Sequence, residues 1–317
     1  MTNHVTIVGS LNVDTTMKVK RMPLPGETIA ALSKTNAAGG KGANQAVAAA
    51  RSGAETAFVG QVGDDAGGKM MINDLKNNNV DTTGIHVDDQ AGTGSAAILL
   101  DESGQNSILV YGGANQQLSV KEVEDARDQI AAADFVIAQF ETPQEATLRA
   151  FQIAKENGVK TILNPAPAHE INPDLLKLTD LIIPNETESA ALTGIIITDE
   201  TSMLMSAAKF AQMGVRNLII TVGAKGAFYC TQDGYNFIPA FKVNAVDTTA
   251  AGDTFIGALS SQLKPDMSNI EKAIVYAQRA SSLAVQKLGA LPSIPTYDEV
   301  VAASNNGGFL CESRIYS

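Results

Sequence analysis

Residues 134–165, DFVIAQFETPQEATLRAFQIAKENGVKTILNP, contain the unit that decides the fold. The runs DFVIAQ (134–139) and KTILNP (160–165) are short, contain β-branched residues and end at polar residues or proline. Such runs are typical of parallel strands that are covered on both faces. Residues 143–157, which lie between them, have apolar side chains at helical spacing. The stretch therefore predicts a strand, a helix and a second strand parallel to the first.

The same alternation extends through most of the chain. Four further strand-like runs are HVTIVG (4–9), TAFVGQVG (56–63), DLIIPN (180–185) and NLIITVG (217–223). Six further helical patterns cover residues 42–52, 67–78, 119–132, 202–213, 251–263 and 269–287. Together they predict an α/β fold with a doubly wound, mostly parallel sheet and helices on both faces.

Residues 14–37 and 92–113 interrupt this alternation, because they are strand-like and have no helix within them. The segment DESGQN (101–106) is typical of a hairpin turn. We expect two antiparallel excursions that form a small β-sheet lid over the strand ends, where open α/β sheets bind ligands. An edge hairpin without a role is the alternative. One domain is predicted over residues 1–303, followed by a flexible tail of loop composition over 304–317.

The composition is that of a globular protein with an acidic surface. The 317 residues include 34 acidic and 23 basic side chains, a net charge of −11. This charge argues against nucleic acid or an anionic membrane as a partner. We expect neither a signal peptide nor a membrane span, and therefore a cytoplasmic location. The histidines, at His4, His86 and His169, have no metal-ligand spacing.

The segment DTTAAGDTF (247–255) contains two aspartates separated by small residues. It leads into the apolar-periodic stretch TFIGALSSQL, so Ala250, Ala251, Gly252 and Asp253 are expected at the first turn of a helix. The unpaired N–H groups of a helix start can bind an anion such as phosphate. Asp253, beside that anion, could accept a proton from a substrate hydroxyl. Alternatively, Asp253 could simply cap the helix.

Two other loops carry candidate ligand-binding residues. In AAGGKGANQAVAAARSG (37–53) the glycines leave space for a ligand, and Lys41 and Asn44 can donate to sugar hydroxyls; a flexible loop before a core helix is the alternative. In PNETE (184–188), Asn185 and Glu188 could form a helix cap or could organise Mg²⁺ near phosphates. The chain has neither G-x-G-x-x-G after its first strand nor a Walker A loop.

Taken in order, GGKGANQA, NPAPA (164–168), PNETE, ITVGAKG (220–226) and DTTAAGDTF resemble the PfkB-type carbohydrate kinase family over about residues 4–300. GSLNVD (9–14), GGKGANQA and NPAPA are similar to the members of the family that phosphorylate D-ribose. The resemblance implies an ATP- and Mg²⁺-dependent transfer of phosphate to the 5-hydroxyl of D-ribose. It also implies activation by K⁺ and a homodimer that forms through the β lid.

The resemblance also assigns roles to individual residues. Asp253 matches the catalytic base, and Ala250, Ala251 and Gly252 match the anion hole. The positions that match sugar contacts are Asn12, Asp14, Gly40, Lys41, Asn44, Glu141 and Asp253. The positions that match nucleotide contacts are Asn185, Thr221, Gly223, Lys225, Gly226, Gly252 and Gln278. Those linked to metals are Glu188 for Mg²⁺ and, for the monovalent cation, Asp247, Thr249, Ala284, Lys287, Gly289 and Ser293. Gln278 departs from the family, in which His or Asn stands near the adenine.

Two alternative functions remain open at this point. A kinase of the same family could act on fructose, a nucleoside or a keto-deoxy sugar acid, although Asp14 and the Gly-rich loop favour a small furanose. A sugar or nucleotide sensor without catalytic activity could use the same scaffold, although such a protein would be expected to have lost Asp253. An NAD-linked dehydrogenase is disfavoured because the dinucleotide fingerprint is missing.

Overall fold

The computed structural model describes residues 2–306. Their strands, numbered in chain order, are β1 His4–Val8, β2 Asn12–Val19, β3 Ser33–Gly39, β4 Glu55–Gly63, β5 Val80–Asp88, β6 Gly94–Asp101, β7 Asn106–Tyr111, β8 Phe135–Ala138, β9 Lys160–Leu163, β10 Leu181–Ile182, β11 Asn217–Thr221, β12 Gly226–Thr231 and β13 Gly234–Pro239. Their helices are α1 Lys41–Arg51, α2 Ala66–Asn77, α3 Val120–Asp125, α4 Arg127–Ala131, α5 Gln144–Glu156, α6 Pro173–Lys177, α7 Glu186–Thr193, α8 Glu200–Gln212, α9 Ala251–Gln262, α10 Ile270–Ala284 and α11 Tyr297–Asn306.

The central sheet has nine strands in the order β13-β12-β11-β10-β9-β8-β1-β4-β5. The seven strands from β11 to β5 in this order run parallel, whereas β12 and β13 are antiparallel additions at one edge. The predicted doubly wound, mostly parallel sheet is confirmed.

Alternation along each strand sends neighbouring side chains to opposite faces of this sheet. Ile7 packs in a core with Phe58 and Phe255, on the face covered by α1, α9 and α10. Val8, the next residue of β1, packs in the other core with Phe151 and Phe210, under α5 and α8. Because both faces are covered, the inner strands are almost continuously apolar, which is why the sequence predicted them well.

The predicted lid is a separate four-stranded sheet in the order β3-β2-β6-β7. β3 and β7 pair antiparallel with their neighbours, but β2 and β6 are parallel over Asn12–Val19 and Gly94–Asp101. The expectation of an antiparallel lid is therefore wrong for its central pair. The reason is that β2 follows β1 and β6 follows β5, two parallel strands of the central sheet, so both leave it in the same direction.

The remaining differences from the sequence prediction are local. The helix predicted over 119–132 is interrupted at Ala126, and β5 was missed because VDTTGIHVD mixes polar and apolar residues at the sheet edge. α11 continues to Asn306, so the first three residues of the predicted tail are helical. The rest of that predicted tail, 307–317, lies outside the described residues. Within 2–306, no helix combines the length and the apolar character that crossing a membrane would demand.

Candidate active site

The candidate residues meet at the carboxyl edge of the parallel strands, beside the lid. Lys41 begins α1, Glu141 follows β8, Asn164 follows β9, Asn185 precedes α7, and Asp253 lies in the first turn of α9. Parallel α/β sheets bind ligands at this edge, because the loops and helix starts of successive units converge there. The topology thus brings together segments that are more than 200 residues apart in the chain.

Asp253 is held by two side chains of α1. Its Oδ2 accepts a hydrogen bond from Asn44 Nδ2 at 2.9 Å, and its Oδ1 accepts one from Gln45 Nε2 at 3.0 Å. The residue is only 8% exposed. α9 begins after Ala250 and has no side-chain cap, so the alternative that Asp253 merely caps the helix is wrong.

Burial raises the pKa of Asp253, and the nearby Glu141 charge adds to this effect. The Lys41 ammonium and the two amide donors oppose it by stabilising the ionised form. A carboxylate with a raised pKa is a stronger base than one in water, which suits a group that has to accept a proton.

The start of α9 presents free N–H groups beside this carboxylate. Ala250 adopts a left-handed conformation with φ 59°, which is unusual for a residue other than glycine and turns the chain sharply into the helix. The Ala251 N–H donates to Thr248 O at 3.2 Å. Within residues 2–306, the N–H groups of Ala250, Gly252 and Asp253 have no acceptor. Of the predicted anion-hole positions 250–252, only Ala251 therefore has its N–H already paired.

On the lid side, side chains from the lid strands, α1 and the loop after β8 form a charged group that we call the lid-side cluster: Asn12, Asp14, Lys41, Asn44 and Glu141. The Glu141 carboxylate accepts hydrogen bonds from the Lys41 N–H at 3.0 Å and from the Ser10 hydroxyl at 2.5 Å. The pKa of Lys41 is lowered by burial, but the charges of Asp253, Glu141 and Glu188 outweigh this and raise it. The ammonium is therefore surrounded by carboxylates and stays protonated.

The side chain of Asp14 on β2 reaches Gly39 of β3, where a Cβ would lie 2.2 Å from its carboxylate. Burial and the nearby Glu141 charge raise the pKa of Asp14 to about 6. A partly buried carboxylate at the mouth of a polar site, with strand backbone against one side, is placed to accept hydrogen bonds from ligand hydroxyls.

Asn12 is oriented by Asn115, a residue that the sequence analysis missed. Asn115 is 1% exposed, accepts from the Leu11 N–H at 2.9 Å and donates to Asn12 Oδ1 at 2.8 Å. Because Asn12 Oδ1 is thus occupied, the Nδ2 of Asn12 is the group available to a ligand. Gln45 and Ser10 were missed as well, since a buried amide or hydroxyl has no sequence pattern that distinguishes it from an ordinary polar residue.

Beside the start of α9 lies an open volume of about 560 Å³, which we call the α9–α10 cleft. Its lining includes the predicted residues Asn185, Thr221, Gly223, Gly226, Gly252 and Gln278, together with Phe241, Val243 and Phe255. A Cβ at Gly252 would meet nothing within 4 Å, so this glycine leaves space over the helix start. Lys225 is exposed and is not among the lining residues.

Glu188 and Asn185 form a capping box at the start of α7, with Asn185 N–H donating to the glutamate at 2.9 Å and Glu188 N–H donating to the asparagine at 2.8 Å. The cap interpretation of PNETE is therefore confirmed. Burial raises the pKa of Glu188, against the opposing effects of the Asn185 N–H and the Lys41 charge. The residue therefore also belongs to the electrostatic surroundings of Lys41.

Asp247 joins the two loops that flank α9 and α10. Its Oδ1 accepts from the Thr249 N–H at 2.9 Å and hydroxyl at 2.6 Å, and its Oδ2 accepts from the Gly289 N–H at 2.9 Å. Burial tends to raise the pKa of Asp247, but these donors lower it overall. Ala284 and Ser293, which lie close to Gly289 in the sequence, are buried. The Lys287 side chain forms an ion pair with Glu299. Residues 2–306 contain no cluster of three or more His, Cys, Asp or Glu side chains that could hold a metal ion.

A profile described as "pfkB family carbohydrate kinase" matches residues 2–297. The chain belongs to this family. It is therefore a sugar kinase, and the dehydrogenase alternative is excluded.

Named relatives of this kinase include the ribokinase of Staphylococcus aureus, which is 47% identical over 301 residues, covering 95% of this chain and 99% of the relative. The bifunctional ribokinase/ribose-5-phosphate isomerase A of Fructilactobacillus sanfranciscensis is 51% identical over 302 residues. That match covers 95% of this chain but spans only 56% of the relative's length. Among solved structures, Arabidopsis thaliana ribokinase complexed with ribose and ATP superimposes with a TM-score of 0.91 at 33% identity, covering 95% of this chain and 98% of that one.

Proposed function

We propose that this kinase transfers the γ-phosphoryl group of ATP to the 5-hydroxyl of D-ribose, giving D-ribose 5-phosphate and ADP. The observation that carries the proposal is the position of Asp253, a buried carboxylate that is hydrogen-bonded to Asn44 of the lid-side cluster and adjoins Gly252, which lines the α9–α10 cleft. We assign ribose to the lid-side cluster and ATP to the cleft.

In the proposed reaction Asp253 acts as the general base. As the bond between the sugar oxygen and the γ-phosphorus forms, the O–H bond breaks and its proton passes to Asp253. The bond from the γ-phosphorus to the bridging oxygen breaks, and its electron pair leaves with ADP. The N–H groups of Gly252 and Asp253 would stabilise the charge on the transferred group, as helix starts do for phosphates. Lys41, whose ammonium lies near Asp253, would place a positive charge close to the phosphoryl group during its transfer.

Two metals belong to this proposal. Mg²⁺ would accompany the ATP phosphates, with Glu188 organising its waters, since Mg²⁺ at phosphates usually keeps several waters and takes only one or two carboxylates. K⁺ would be held by Asp247, Thr249, Ala284, Lys287, Gly289 and Ser293, mainly through carbonyl oxygens. One carboxylate among carbonyls suits a large monovalent ion, and a bound cation would stabilise the 247–249 loop before α9.

We also propose a homodimer that forms through the lid. β7 is an edge strand whose residues are all exposed, and Leu109 and Val110 are 73% and 67% exposed. An exposed apolar edge strand is a template for pairing with a second chain. Sedimentation of the protein and of a Leu109→Asp/Val110→Asp variant would test this: a monomeric unmodified protein at micromolar concentration would contradict it.

The substrate assignment is tested by measuring ATP-dependent ADP release across pentoses, hexoses and nucleosides, with the product identified by NMR. D-Ribose should give the highest kcat/KM, and the product should carry its phosphate on the 5-oxygen. Faster turnover of fructose or a nucleoside would instead favour the other kinases of the family. Binding of sugar and nucleotide without turnover would favour the sensor.

A further inference from the structure

Three buried carboxamides are linked to Asp253 by hydrogen bonds that pass through one of them, Gln45. They are Gln45 of α1, Gln139 after β8 and Asn164 after β9, and both glutamines are 0% exposed. Burying an amide is unfavourable unless it is hydrogen-bonded. Packing alone therefore does not explain why three amides are buried in one network with a carboxylate.

In each of these amides, the hydrogen bonds determine which end donates and which end accepts. Asn164 Nδ2 donates to the carbonyl of Ile183 at 3.0 Å, which leaves Asn164 Oδ1 to accept from Gln45 Nε2 at 3.1 Å. The same Nε2 donates to Asp253 Oδ1 at 3.0 Å. A carbonyl and a carboxylate can only accept, so they fix the orientation of the amides between them.

Gln139 fixes the orientation of Gln45 by binding the oxygen of its amide. Its Nε2 donates to Gln45 Oε1 at 2.7 Å, so Gln45 cannot turn its oxygen toward Asp253 without losing that bond. Gln139 Oε1 has no hydrogen-bond partner within residues 2–306 and lies where a Cβ on Gly9 would be 2.3 Å away. Gly9 therefore leaves the space for Gln139, and the orientation of Gln139 is set by its bond to Gln45.

We propose that Gln139 and Gln45 are positioning residues that hold the Asp253 carboxylate oriented and ionised for proton acceptance. The inference rests on the proposed function, in which Asp253 is the base. A hydrogen bond donated to a carboxylate favours its charged form. Burial, which raises the pKa of Asp253, and the nearby charges of Glu141 and Glu188 act against this hydrogen bond, whereas the Lys41 charge acts together with it.

The test is the pH dependence of the single-turnover rate of phosphoryl transfer in Gln45→Met. Methionine has nearly the length of glutamine but cannot donate a hydrogen bond. Loss of the donor should raise the pKa of Asp253 further, so the acidic limb of the profile should move to higher pH by about one unit. The rate should recover toward that of the unmodified protein at high pH.

Gln61→Met is the matched control, because Gln61 is also a buried glutamine and its Nε2 donates to Asp88 at 2.7 Å, outside the site. It should leave the profile unchanged. In Gln139→Met, Gln45 keeps its amide but loses the bond that orients it, so the shift should have the same sign and be smaller. This variant also provides the test if Gln45→Met does not fold.

The outcomes separate the two proposals. An acidic limb that stays in place in both variants, with the rate lowered equally at all pH values, would overturn the positioning role and leave the ribose kinase assignment standing. If the unmodified protein does not phosphorylate ribose, or if Asp253→Asn is fully active, the proposed function itself fails, and the inference fails with it.

Discussion

The lid-side cluster and the α9–α10 cleft both adjoin the first turn of α9, through Asp253 and Gly252, and are built in different ways. The cluster consists of charged and amide side chains, several of which are already hydrogen-bonded to neighbouring groups, as Glu141 is to the Ser10 hydroxyl and to the backbone N–H of Lys41. The cleft is lined largely by glycines, small residues and aromatic or aliphatic groups, and its free polar groups are mostly backbone. Under the proposed function, we therefore expect side chains to recognise the sugar in the lid-side cluster. In the cleft, we expect the shape of the cleft and backbone groups to recognise the nucleotide.

The largest effect is expected where the two regions meet. Asp253→Asn should lower kcat at least about 100-fold, because the amide cannot accept the proton. Asn44 Oδ1 has no hydrogen-bond partner within residues 2–306, so the Asn44 amide can turn over and accept from the new side chain. The melting temperature and the KM for ATP should therefore change little. Near-normal turnover of this variant would show that Asp253 is not the base.

On the lid side, Asp14→Ala should raise the KM for ribose about 10- to 150-fold, the range for a hydrogen bond to a charged group. The KM for ATP should stay nearly constant, and an unchanged ribose KM would remove Asp14 from the sugar site. Since the pKa of Asp14 is about 6, the ribose KM of the unmodified protein should also rise as the pH falls below 6.

The same raised pKa has a consequence for stability. The folded protein binds this proton more tightly than the unfolded chain does, so the contribution of Asp14 to stability falls as the pH rises from about 4 through 6. Asp14→Asn, which cannot ionise, should therefore be more resistant to unfolding than the unmodified protein at pH 8. This difference should shrink at pH 4, as thermal unfolding at the two pH values would reveal.

The loop between the two regions should respond to monovalent cations. Activity should be several-fold higher in K⁺ than in Na⁺ or Tris at constant ionic strength, because a bound cation would fix the 247–249 loop. Asp247→Ala should flatten this response. Thr249→Val, which loses a hydrogen bond to Asp247 but keeps the carboxylate, should retain it. Equal rates of the unmodified protein in all three salts would exclude the site.

The smallest effect is expected in the cleft. Gln278 Nε2 donates to Ile238 O at 2.8 Å, while its buried Oε1 has no partner within residues 2–306 and can accept from a ligand. Gln278→Met should raise the KM for ATP only about twofold to fivefold, the lower half of the range for a neutral hydrogen bond, and should not affect the KM for ribose. An increase as large as that predicted for Asp14→Ala would contradict the contrast between the two regions.

The sequence by itself determined the parallel sheet, since strands that are buried on both faces must be nearly continuously apolar. It also located the helix start at Ala250–Asp253, because small residues before an apolar-periodic run indicate the first turn of a helix, where N–H groups are unpaired. Only the tertiary structure decided the direction of β6, the contacts of Asn115 and Gln45, and the exposure of Lys225 outside the cleft. The role of an amide side chain depends on which group faces it, and Gln45 contacts Asp253, which lies 208 positions further along the chain. Periodicity reports only which face of its own element a residue occupies, so contacts between distant elements had to come from the fold.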